Sequence, residues 1–157
     1  MYVVQKMLAT QIRDTMRVAM KDLLTDTFKK EKLETKDLAW IKELCIEIIQ
    51  RINQLTPNRT DLHQQLESSI DVELIIQMLN HSAIEISDFV QILNVTFDRL
   101  KLLCAPSQDI DIDNTKNNIL QQPTLSESIV NYILESNRII DEIEDLYRDF
   151  KTKTNVH

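Results

Sequence analysis

A chain of 157 residues that contains no glycine has few folds open to it. Glycine is the default residue wherever a backbone must turn left-handed, and the tight turns of β-hairpins depend on it. Long helices joined by a few polar connectors meet that constraint best. The chain is therefore expected to be all-α, a single helical-bundle domain of five to six helices with no sheet. The same absence removes the usual phosphate-cradling loops and nucleophile elbows. At this length one core buries roughly two-thirds of the unfolded surface, so no metal or disulfide staple is required.

Hydrophobic spacing places the helices. Leu8, Ile12, Met16, Ala19, Met20, Leu23 and Leu24 form one continuous face of a helix from about Val4 to Lys30, read as part of the core. Leu38, Ile41, Leu44, Cys45, Ile48, Ile49, Ile52 and Leu55 mark a second helix, with Thr35 as its N-cap and Thr56-Pro57 as its stop. Leu62, Leu66 and Ile70 give a short third helix. Asp71 caps a fourth, and the turn that leaves it, Asn80-His81-Ser82, is expected to place Asn80 in the left-handed region. Ile86, Phe89, Val90, Leu93, Phe97 and Leu100 line a fifth helix, which Leu103-Cys104-Ala105-Pro106 ends, with Cys104 buried. These elements make a main bundle over about 4–105.

Residues 106–123 are polar and aperiodic and read as a loop. Thr124-x-x-Glu127 is a capping box opening a last helix over 124–150, faced by Ile129, Ile133, Ile140, Ile143, Tyr147 and Phe150. The tail 151–157 is expected to fray.

Charge is unevenly spread. Residues 1–60 hold 11 Lys+Arg against 8 Asp+Glu, and the remainder holds 7 against 17, so balances of +3 and −10 make up the net −7. An acidic chain of this kind lacks the basic footprint that nucleic acid requires. Two cysteines, each in an apolar helical run, and no signal peptide point to a reduced, cytoplasmic setting. No run approaches the ~18 apolar residues of a spanning helix. The first 21 residues loosely resemble a mitochondrial presequence, yet their stripe continues past Lys21 as if it belonged to the fold.

Candidate chemistry fails on spacing. Asp109, Asp111 and Asp113 begin like a calcium loop, but Asn114 and Leu120 stand where it needs glycine and a bidentate glutamate. His63/Glu67 and His81/Glu85 share i, i+4 spacing without a second ligand pair. No catalytic residue, metal ligand or cofactor is assigned.

Three motifs in order resemble the T-complex 11 family: Asp71-Val72-Glu73-Leu74-Ile75, the turn ending Ser82-Ala83-Ile84-Glu85-Ile86, and Leu103-Cys104-Ala105-Pro106 followed by Asp109. That family has a D-[LV]-[DE]-L-I helix, an N-G-A-L-D-I-like turn and a helix closed by L-C-A-P. Ser82 replaces the family's turn glycine. The likeness covers about Arg17 to Phe150. It implies an intracellular, all-helical, non-enzymatic protein associated with signalling, notably cAMP-dependent protein kinase pathways, and adds no site residue.

The functional expectation is a protein-interaction module acting as a signalling adaptor, with room for self-association. Its candidate docking strip is Lys6, Arg13, Arg17 and Lys21 on the first helix, against an acidic last helix. The alternative is a structural or membrane-surface bundle that binds through that basic helix. Reversing Arg13, Arg17 and Lys21 together is expected to leave thermal stability nearly intact and to weaken binding of a protein partner; loss of folding would instead mean that the strip packs on the acidic helix.

Overall fold

The computed structural model describes the backbone of residues 2–155 and side chains as far as residue 151. Seven α-helices and no strand occur among the described residues: α1 (Tyr2–Phe28), α2 (Thr35–Gln54), α3 (Thr60–Ser69), α4 (Val72–Asn80), α5 (Ile86–Leu103), α6 (Asp109–Leu120) and α7 (Leu125–Asn155). The all-α architecture is the one the missing glycine demands.

Helix α7 is the axis of the bundle. Helices α1, α2, α5 and α6 pack around it, while α3 and α4 close the outer side of α2. Ile133, Ile139, Ile140 and Ile143 of α7 meet Ile48 and Ile52 of α2 and Leu93, Phe97 and Leu100 of α5 in one continuous core. Two polar ties sit inside it. The Thr96 and Tyr132 hydroxyls share a hydrogen bond of 2.8 Å, and the Ser128 hydroxyl donates to the Ile119 carbonyl at 2.8 Å. Buried Arg99 fastens α5 to α3 by donating to the Leu62 carbonyl (3.1 Å) and to Gln65 Oε1 (2.9 Å).

The structure corrects several expectations. The polar loop at 106–123 is instead a 3-10 turn at Pro106–Gln108 followed by α6. Ile112, Thr115 and Ile119 supply a buried stripe only one side chain wide, enough to hold twelve residues against α5 and α7. Helix α7 runs on through residues expected to fray, as far as Asn155, and the last two lie outside the described residues.

The left-handed residue is Ser82 (φ 50°), not Asn80, which is the last residue of α4. Ala83 N–H donates to the Met78 carbonyl (2.8 Å) and Ser82 N–H to that of Leu79 (3.2 Å), a Schellman ending that needs its left-handed residue one step beyond the cap. The cap of α2 is Glu34, one residue before Thr35, because Asp37 accepts the Glu34 N–H at 2.9 Å. Cys104 is half-buried, not buried.

Candidate interaction surface

The first helix is placed inside out. Only Leu24 and Thr27 of α1 are buried. Met20 and Phe28 are half-buried against the core. Upstream, the basic side of the helix lies against α7 and the apolar side faces solvent.

Three ion pairs form this seam. Lys6 Nζ lies 2.6 Å from Asp149 Oδ2, and the Tyr2 hydroxyl donates to Asp149 Oδ1 at 2.6 Å. The Arg13 guanidinium grips Asp145 with both prongs (3.2 and 2.8 Å), and Arg17 reaches Asp141 at 2.9 Å. Arg17 also holds Asp14 of its own helix. Asp141 is shared with Arg51 of α2 at 2.6 Å, which contacts Glu144 at 3.1 Å as well. The cluster thus ties α1, α2 and α7 at one level.

The steps from Asp141 to Asp145 to Asp149 follow i, i+4 spacing along α7, and Arg17, Arg13 and Lys6 meet them in reverse order from an antiparallel α1, four and then seven residues apart. The hydrogen bonds to Asp149 raise both the Tyr2 hydroxyl and the Lys6 ammonium pKa, and the Asp145 bond does the same for Arg13. The side chains of Arg13 and Arg17 are only 26% and 25% exposed. A shallow cleft of about 540 Å³ opens beside the seam, bounded by Tyr2, Ile12, Arg13, Glu144 and Arg148 among others.

Of the four candidate docking residues, then, Lys6, Arg13 and Arg17 face acids of the same molecule. Lys21 is exposed, as is Lys6 despite its pairing with Asp149. What α1 offers to solvent instead is an apolar ridge: Val4, Leu8, Ile12 and Met16, four residues apart and each 52–65% exposed. Spacing picks out Leu8, Ile12 and Met16, though not Val4, and reads them as a face turned to the fold. The signal that places them outside is the match between the basic strip of α1 and the acids of α7, which only one orientation of α1 satisfies.

The other candidates resolve into structural roles. Asp71 Oδ1 accepts the Leu74 N–H (3.1 Å) and caps α4. Leu103 ends α5, Cys104 is its cap, and Ala105-Pro106 turns the chain into the 3-10 turn. Burial pushes the Cys104 thiol up to about 11, with the charges of Glu142, Asp109 and Asp111 adding to it, and burial alone takes Cys45 to about 11. Both thiols are therefore poor nucleophiles at neutral pH.

Asp109, Asp111 and Asp113 lie on α6, which spreads them around a helix. Asp113 binds Lys101 at 3.1 Å, and Asp111 lies 3.8 Å from Arg138. His63 Nε2 contacts the Thr56 carbonyl at 2.7 Å, Glu67 accepts from Asn53 at 3.2 Å, and His81 and Glu85 sit at the ends of two different helices. Among the described residues no group of three or more His, Cys, Asp or Glu is arranged to hold a metal. No helix there is long and apolar enough to cross a membrane.

The family model described as T-complex protein 11 matches residues 2–147, nearly the whole chain and fifteen residues further upstream than the motif likeness. No solved structure matches.

Proposed function

Because the chain belongs to the T-complex protein 11 family, we propose that it works as a non-enzymatic protein-interaction module, a signalling adaptor or modulator that binds through the α1–α7 arm. The observation that carries this reading is the exposed ridge of Val4, Leu8, Ile12 and Met16. Exposed apolar side chains are ordinary when scattered, but a contiguous row on one helix marks a contact surface. The link to cAMP-dependent protein kinase signalling comes to this chain from the family likeness alone, and a cytoplasmic setting from that likeness together with its two unpaired cysteines.

Charge gives the strip of Lys6, Arg13 and Arg17 a different task from the one spacing suggests. Held by Asp149, Asp145 and Asp141, these cations set the orientation of α1 and thereby turn the ridge outward. Lys21 remains the one basic docking candidate at the edge of the surface. The same pairing weakens the membrane-surface alternative, since anionic lipid would compete with carboxylates already in place.

The test is affinity purification of the intact chain beside a Leu8→Glu/Ile12→Glu variant, with mass spectrometry of what each retains. Loss of specific partners by the variant, with helicity unchanged by circular dichroism, supports the arm. An identical set of partners on both proteins removes the arm from the function.

A further inference from the structure

Resting on the arm as the interaction surface, we infer that its occupant is a second copy of this chain, joined ridge to ridge in an antiparallel, two-fold symmetric pair. Three features of the arm lead there.

The first is shape. Val4, Leu8, Ile12 and Met16 form a row at i, i+4, i+8 and i+12. Rows of this kind interdigitate with identical rows in the commonest class of helix packing, so the ridge is its own complement. A two-fold axis midway between Leu8 and Ile12 sets Leu8 of one copy opposite Ile12 of the other, and Val4 opposite Met16. Every contact is then made twice, as a closed isologous interface requires.

The second is charge. The chain carries −7, a load that repels its own copies over most of the surface. Residues 2–17 and 141–151, which build the arm, hold five Lys+Arg against six Asp+Glu, a balance of −1 that leaves −6 on the rest. Most of these charges are matched across the seam by short pairs. Two arms therefore meet with little repulsion, whereas a strongly charged partner of either sign finds little to attract it.

The third is area. Four side chains more than half exposed present roughly 400 Å² of apolar surface per copy, close to the apolar share of an interface of ~800 Å² per partner. A specific dimer needs about that much, and the ridge supplies it in one uninterrupted strip.

Sedimentation of the purified full-length protein tests this, with Leu8→Glu/Ile12→Glu and the separate pair Val4→Lys/Met16→Lys as variants. The expected mass is twice 18.4 kDa for the natural chain at tens of micromolar, falling to 18.4 kDa in both variants while circular dichroism stays the same. A natural chain that sediments as a monomer overturns the inference, as does a dimer that persists in both variants. Flotation with vesicles of phosphatidylcholine and phosphatidylserine separates the remaining occupants. A monomer that floats through its ridge is a membrane binder, and the dimer is wrong. A monomer that stays in solution but loses co-purified proteins in the Leu8→Glu/Ile12→Glu variant refutes the dimer alone and leaves the interaction module standing.

Discussion

Ser82 carries a local backbone cost, as the one non-glycine residue with positive φ among those described. The left-handed region costs a side chain with a β-carbon about 1–2 kcal/mol, partly returned because glycine loses more entropy on folding. Ser82→Gly, which restores the residue the family likeness leads one to expect, should therefore stabilise by about 0.5–1 kcal/mol and raise the melting temperature by a few degrees. Ser82→Val at the same site should lower it by more, because β-branching worsens the clash.

Asp37 offers a second prediction at this scale. It accepts from Lys30 Nζ (3.1 and 2.9 Å) and from the Glu34 N–H, joining the end of α1 to the start of α2. The Lys30 bond first, and the backbone bond second, hold its carboxyl below the ordinary 3.8. A lowered carboxyl pKa contributes stability that is complete above 3.8 and disappears as the pH falls through the folded-state value. Asp37→Asn should melt below the natural protein near neutrality, and the gap between them should close as the pH drops under 3.8.

At the scale of the element, α1 is decided by its partner. Arg13→Glu removes a two-pronged, three-quarters-buried pair and sets two carboxylates together, so it should cost about 1–2 kcal/mol. Adding Asp145→Arg restores opposite charges in the swapped sense and should recover at least half of the lost melting temperature. Additivity of the two changes would mean that the pair does not hold the helix.

This is also where the sequence was hardest to read. Wide stripes on α2, α5 and the first half of α7 declared both helix and buried face, and the core of Ile48, Ile52, Leu93, Phe97, Leu100 and Ile133 follows them. On α1 two patterns compete, an apolar row and a basic row, and the winner depends on acids more than 120 residues away. A window of local periodicity cannot see that. Helix α6 was illegible for another reason: Ile112, Thr115 and Ile119 place one buried residue per turn, too thin a stripe to stand out among Asp and Asn. Its acids at Asp109 and Asp111, just past Pro106, were the available signal.

In the whole molecule, buried contact is concentrated at one end. The bundle around Phe97 and Ile140 is fully enclosed, while the first four turns of α1 rest on α7 through a single seam of ion pairs. Local opening follows buried apolar contact, so hydrogen exchange in the Leu8→Glu/Ile12→Glu variant should show α1 amides before Arg17 exchanging early and those of α5 last. Uniform protection along α1 would mean that the seam is as firm as the core.

The pairing of Arg17 with Asp141, 124 residues apart, also has a consequence for how the protein is made. A ribosome adding ~5–20 residues per second delivers α1 roughly 6–25 s before the stretch of α7 that orients it. During that interval the helix synthesised first has neither its carboxylates nor its final direction, and its apolar row and its cations are both available to whatever stands at the exit tunnel. What α7 brings when it arrives is the pairing of those cations and with it the direction of α1, not cover for the apolar row.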